Sequence, residues 1–190
     1  VQDFLTLPES VVREKYRLPD DVRDWRYEWA LKDVQNNPDF SKIKKVTYRP
    51  FDVRYIYYTG QSRGFVGWPV EKIMRNFHIG ENIGLCTARS NKNPEVDHFF
   101  VTENAMETKC AESSTQSAVF PLYLYPEDGT LDQTIRVNFD AKLFDQIRKA
   151  ASLTDPLKGP DGTDHFRRTT GDARPDEVKV FDYIYGVLHC

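Results

Sequence analysis

The sequence predicts an α+β fold, a curved and mostly antiparallel sheet with flanking helices. Three observations carry this. Runs rich in Val, Ile, Tyr, Phe and Thr crowd the middle of the chain, at 46–59, 82–89, 98–102 and 118–126. Amphipathic helical patterns bracket them, at 19–36, 139–151 and 175–189, with one more between them at 69–79. The order is therefore helix, strands, helix, strands, two helices, which segregates helices to the side of a sheet. The 190 residues suit one compact domain. It divides into an N-terminal helical segment at 1–45, a sheet-rich core at 46–126 and a C-terminal helical segment at 127–190.

In 19–36, "PDDVRDWRYEWALKDVQN", Val22, Trp25 and Trp29 share a stripe at helical spacing, with Asp20 and Asp21 near the start where acids favour the helix dipole. Both tryptophans read as packing residues. Residues 46–59 read as a long strand or hairpin arm, with Pro50 marking an edge or a bulge because proline cannot donate to a ladder. Three glycines and Ser62 make 60–67 a mobile loop. Pro69 opens a helix over 69–79, with Val70, Ile73, Met74 and Phe77 inward, Arg75 and Asn76 outward, and Gly80 closing the end. Polar loops at 89–97 and 109–117 separate the next strands. An exposed connector at 127–137 leads to a helix with Leu143, Phe144, Ile147 and Ala151 inward. A long loop at 152–174 precedes a last helix, opened by Pro175, with acids in its first turn and Phe181, Ile184, Tyr185 and Leu188 inward.

Composition excludes several classes. No apolar run approaches the roughly 20 residues a membrane span needs. No charged-then-apolar leader opens the chain. Cys86, Cys110 and Cys190 are odd in number and unpaired in spacing, which suits free thiols in a reducing cytoplasm. His78, His98, His165 and His189 are scattered, without zinc-ligand spacing. The chain starts at Val and stops within the last helical pattern, so it reads as a piece of a longer protein.

Catalytic patterns are missing from the sequence. Cys86 and His98 could be paired as nucleophile and base, but Cys86 lies in an apolar strand reading that suits core packing, and nothing nearby resembles a nucleophile elbow. Asp52, Glu95, Asp97 and Glu107 lack the lysine pattern of a metal-dependent nuclease. No Gly-rich loop opens a helix after a strand, and no Asn/Asp-Pro-Pro-Tyr/Phe motif of adenine methyltransferases occurs.

Charge is more informative. Residues 42–93 hold ten basic residues against three acidic, a net +7, whereas 1–41 carry −3 and 94–190 carry −7. A basic middle between acidic flanks suggests an anionic partner; the alternative is a solvated face neutralised by nearby acids. The loops and the 69–79 helix supply the residue types that bind nucleic acid: Gln61, Ser62, Arg63, Arg75, Arg89, Ser90, Asn91, Lys92, Lys109, Ser113, Ser114, Thr115 and Gln116. Arg matches guanine and Asn or Gln matches adenine in the major groove, while Ser, Thr and Lys hold phosphates.

Five stretches, "DVRDWRYEWALKDV", "YRPFDVRYIYYTGQSRGF", "PVEKIMRNFHIGENIGL", "AVFPLYLYP" and "DEVKVFDYIYGVLHC", occur in the order of one family. Through them the chain resembles, over 20–190, the C-terminal specificity (target-recognition) domain of single-chain type ISP restriction–modification enzymes and related adenine-specific DNA methyltransferases. The resemblance implies recognition of an asymmetric duplex DNA sequence and presentation of its adenine to an N6-methyltransferase module. It implies nuclease and helicase modules in the same polypeptide, in a bacterial or archaeal cytoplasm. No catalysis is expected in this chain. S-adenosylmethionine would belong to the methyltransferase module. In this picture the sheet and its loops are one jaw of a DNA clamp, and the methyltransferase is the other. One departure stands out: the family commonly has a basic residue flanking Pro69, where this chain has Trp68 and Val70. The rival expectation is a protein-interaction domain without DNA contact.

Overall fold

A computed structural model describes residues 1–88, 99–153 and 175–190. The chain divides into two compact units, one of residues 1–46 and 53–75, the other of 47–52 and 76–190.

The first unit begins with helices α1 (Gln2–Thr6) and α2 (Glu9–Tyr16), neither expressed in the sequence as a long amphipathic pattern. Helix α3 spans only Tyr27–Asn36, not 19–36. Val22 and Trp25 exchange backbone hydrogen bonds of 2.9 and 3.3 Å, which closes a tight turn ahead of the helix. The Asp21 carboxylate then accepts the Tyr27 N–H at 3.0 Å and satisfies one of the orphan donors at the helix start. Consequently Val22 is exposed rather than inward.

Phe4, Val12, Tyr27, Ala30, Val34 and Tyr57 form the core of this unit, with Trp25 and Phe65 packed against it. Phe4 stacks on Tyr27 at 5.1 Å, and the Phe65 ring meets both Phe4 and Tyr57 at 5.4 Å. Each such aromatic pair contributes about 0.5–1.5 kcal/mol beyond simple burial.

The predicted 46–59 strand is a hairpin of β1 (Ile43–Arg49) and β2 (Asp52–Tyr57). Pro50 and Phe51 are its turn, not an edge or bulge. Proline presets one turn dihedral, and Phe51 takes the left-handed one (φ 64°), with its ring fully exposed. The predicted 69–79 helix is a single turn, α4 (Glu71–Met74), followed by a 3-10 turn at Arg75–Phe77. Val70 has left-handed backbone (φ 49°) and cannot continue the helix N-terminally. Met74 and Phe77 are buried as expected, but Val70 and Ile73 are exposed.

In the second unit, β3 (Gly84–Ala88) lies between β4 (Phe100–Thr102) and β6 (Ser117–Pro121), antiparallel to both. Cys86 faces Val119 in that register and both are buried, while the neighbouring Leu85–Phe120 pair is more exposed, the period of two that a pleated sheet imposes. Strand β5 (Ala105–Met106) extends the hairpin in the order β2-β1-β5. Strands β7 (Tyr123–Leu124) and β8 (Arg136–Val137) form a small antiparallel pair, so part of the predicted 127–137 connector is a strand. The α+β class holds, with its strands distributed over three small sheets among the described residues.

Helices α5 (Ala141–Ala150) and α6 (Asp176–Val187) match their predicted spans closely. Asp140 caps α5 by accepting the Leu143 N–H at 2.9 Å. Phe144 is buried, but Leu143 and Ala151, expected inward, are exposed. The first-turn acids of α6 do more than complement a dipole. Asp176 and Glu177 are each 1% exposed, Asp176 accepts from Arg148 at 2.8 Å, and Glu177 accepts from the Tyr123 hydroxyl at 3.0 Å. Residues 154–174 lie outside the described residues.

Candidate nucleic-acid interface

The segment 58–70 is far more constrained than its glycines suggest. Its anchor is Asp33 of α3, 1% exposed. One carboxylate oxygen accepts the Phe65 N–H and the Thr59 hydroxyl, each at 2.8 Å. The other accepts from Asn37 Nδ2 at 3.2 Å. The Phe65 carbonyl accepts the Trp25 indole N–H at 3.1 Å, so Phe65 is held by ring, donor and acceptor together. Gly64 is buried beside the carboxylate, and a Cβ there would stand 2.3 Å from an Asp33 oxygen. Downstream, the buried Tyr58 hydroxyl donates to the Pro69 carbonyl at 2.7 Å. Burial, with the Glu71 carboxylate second, pushes that phenol's pKa upward.

These bonds leave Gln61, Ser62 and Arg63 as an exposed tip on a fixed base. Gly60 turns the chain with φ +80°, and Arg63 adopts left-handed backbone (φ 56°) while its N–H donates to the Gly67 carbonyl at 3.0 Å. The Arg63 guanidinium lies 5.5 Å from the centre of the Trp29 ring, and that of Arg26 lies 5.2 Å from the same ring. Arg75 is half-buried, whereas Asn76, expected outward, is 3% exposed. Its side-chain oxygen accepts the Tyr125 N–H at 2.8 Å, and its carbonyl accepts from Asn82 at 2.9 Å, so its hydrogen-bonding capacity serves the fold of the second unit.

The loop 107–117 belongs to that second unit and is shaped by its own side chains. Glu112 accepts from the Ser114 N–H and hydroxyl at 2.8 and 2.6 Å. Ser117 Oγ accepts the Ala111 N–H at 2.9 Å. Side-chain bonds of this kind define turns without a regular ladder. Lys109, Ser113, Ser114 and Gln116 are exposed, and Thr115 is buried. Glu107 accepts the Lys109 N–H at 2.9 Å and pairs with Arg49 at 2.6 Å. Arg49 is thus neutralised by Glu107 and not by its near neighbour Asp52. Arg89, Ser90, Asn91 and Lys92 lie outside the described residues, as does His98.

Cys86 is fully buried, and burial pushes its thiol pKa up to about 12, which leaves it unsuited to nucleophilic attack. Among the described residues, no group of three His, Cys, Asp or Glu could hold a metal ion. None of the described helices is long and apolar enough to cross a membrane.

The sequence alone marks neither Asp33 nor Arg26 as a functional residue, and it reads Trp29 as packing. The available signal was positional: Ala30, Asp33 and Asn37 follow one another at helical spacing along the flank of the apolar stripe, where a solvated acid is out of place.

A family model described as "Type ISP C-terminal specificity domain" matches residues 1–190. Among solved structures, one chain of the "cryoEM structure DrdV-DNA complex" matches with a TM-score of 0.53 and 16% sequence identity, over 98% of the present chain and 15% of the other. At that identity the likeness is one of fold. The present chain therefore corresponds to about 15% of that chain's length. No curated protein matches.

Proposed function

The chain belongs to the type ISP C-terminal specificity domain family, and on that premise we propose that it recognises duplex DNA sequence for a restriction–modification enzyme that methylates adenine N6. The observation that carries this reading is the exposed Gln61–Ser62–Arg63 tip on a base fixed by buried Asp33. A pre-positioned tip loses little freedom on binding, and its amide and guanidinium forks suit base edges and phosphates. Lys109, Ser113, Ser114 and Gln116 offer a second exposed set. Arg75 and the 89–92 residues complete the proposed contacts. Methyl transfer from S-adenosylmethionine, adenine extrusion and any nuclease or helicase work belong to other modules of the same polypeptide. This domain acts as one jaw against the methyltransferase module.

The experiment is enrichment of the full-length protein's preferred ligand from a random duplex pool. The reading expects one asymmetric sequence to emerge; a pool that stays random after repeated rounds refutes it.

A protein-docking role has one observation in its favour. Phe51, Val53 and Tyr55 alternate along the hairpin and are 100%, 48% and 71% exposed. A charge introduced by Tyr55→Asp that releases a neighbouring module, with sequence preference absent in the wild-type protein, would favour that role over DNA recognition.

A further inference from the structure

Trp25 and Trp29 lie four residues apart and read alike in sequence, yet they do different things. Trp25 packs on the core and donates its indole N–H to Phe65. Trp29 is only half-buried, lies outside that packed set, and carries two guanidiniums, those of Arg26 and Arg63. Both arginines are exposed, and among the described residues neither forms an ion pair. The nearby acids are engaged elsewhere: Asp21 with Arg13 at 2.6 Å and the Tyr27 N–H, Glu28 with Lys32 at 2.8 Å, and Asp24 with Arg23 at 3.3 Å.

Asp21 and Glu28 attract Arg26 through space without pairing with it directly. Two guanidiniums held to one indole without a directly bonded acid still repel each other, and the ring's negative face offsets only part of that. An anion with two free oxygens, each accepting from one guanidinium fork, removes the repulsion. We infer that Arg26, Trp29 and Arg63 form a clamp for one phosphodiester group of the DNA backbone. The inference rests on the DNA-recognition reading and deepens it, assigning Arg63 to backbone grip and adding Arg26 and Trp29 to the contact surface. Asp33 fixes the loop from behind, and the Arg63 N–H bond to Gly67 holds the tip at the distance that lets its side chain reach the ring.

The test uses the full-length protein, a duplex bearing its selected sequence, and a scrambled duplex of equal length. Affinities are measured between about 50 and 200 mM salt, where backbone contacts govern the dependence of binding on salt. Replacing both Arg26 and Arg63 by Gln is expected to flatten the slope of log affinity against log salt by about 0.9, the value of one phosphate contact, and Arg26→Gln and Arg63→Gln singly by about half of that. Both should weaken the two duplexes by the same factor, and Trp29→Phe, which keeps an aromatic face, should preserve most of the slope. Arg26 is exposed, so its replacement leaves the core intact. An unchanged slope in Arg26→Gln, with wild-type sequence preference intact, overturns the clamp and leaves the DNA reading standing. Relaxed discrimination at one base pair in Arg63→Gln, with the slope unchanged, makes Arg63 a base reader and also overturns the clamp. Absence of sequence preference in the wild-type protein removes both.

Discussion

Replacing Asp33 by Ala tests how the proposed DNA-facing tip is held. The carboxylate is 1% exposed and accepts from Phe65 N–H, Thr59 Oγ1 and Asn37 Nδ2 at 2.8, 2.8 and 3.2 Å. Hydrogen bonds to a charged acceptor contribute about 1.5–3 kcal/mol each, and donors left unpaired in partly buried places add to the loss. The two short bonds alone set an expected destabilisation of about 3–6 kcal/mol. Asp33→Asn keeps the shape and one acceptor oxygen, so it should lose about 1–2 kcal/mol, chiefly where its amide faces the Asn37 amide. Gly64→Ala reaches the same carboxylate from the other side, with a Cβ only 2.3 Å from its oxygen, and overpacking of this kind costs about 1–3 kcal/mol. The assay is urea unfolding followed by tryptophan fluorescence, which reads Trp25 and Trp29 beside the loop. An Asp33→Ala midpoint within about 0.5 kcal/mol of wild type, the range of an ordinary surface change, would refute the anchor.

Three further outcomes follow from the same geometry. Asn82→Ala removes a buried bridge that donates to the Asn76 and Tyr123 carbonyls at 2.9 and 2.8 Å and accepts the Tyr123 N–H at 3.0 Å; equilibrium unfolding should show a loss of about 3 kcal/mol or more. Cys190 is exposed while Cys86 and Cys110 are buried, with thiol pKa values pushed up to about 12 and about 11, so mass spectrometry after brief alkylation near neutral pH should find only Cys190 modified. Asp21 is held below the ordinary carboxylate pKa, first by the Tyr27 N–H and then by Arg13. Its stabilisation is complete above the unfolded value of about 3.9 and is lost as pH falls through the lower folded value. Unfolding midpoints measured from pH 6 downward should therefore decline less steeply in Asp21→Asn than in wild type, and equal declines would discount this contribution.

The sequence was most legible where one local rule decided the outcome. The 175–189 and 139–151 patterns placed α6 and α5 within a residue or two, because helical periodicity acts over a few turns of chain. Local rules failed where a distant partner overrode them. Val22, Trp25 and Trp29 share a helical stripe, yet the reciprocal Val22–Trp25 bonds and the Asp21 cap start the helix at Tyr27. Asn76 has the position of an outward residue on a short helix, but the Tyr125 N–H, 49 residues away, turns it inward. The candidate interface was half visible for the same reason. Gln61, Ser62 and Arg63 announce an exposed loop by composition alone, whereas nothing near Asp33 in sequence says that its partners are Thr59 and Phe65. Likewise, Arg49 pairs with Glu107, 58 residues away, although Asp52 lies closer in the chain.

The central claim is that loops of this domain choose the DNA sequence on which the parent enzyme acts. The most direct measurement is methylome sequencing of cells carrying the intact gene, against cells in which 60–67 or 109–117 is exchanged for the loop of another family member. The account predicts that an exchange moves N6-methyladenine to a new sequence context while the protein stays folded and active. Unchanged methylation contexts in both exchanges, at wild-type levels, would contradict it.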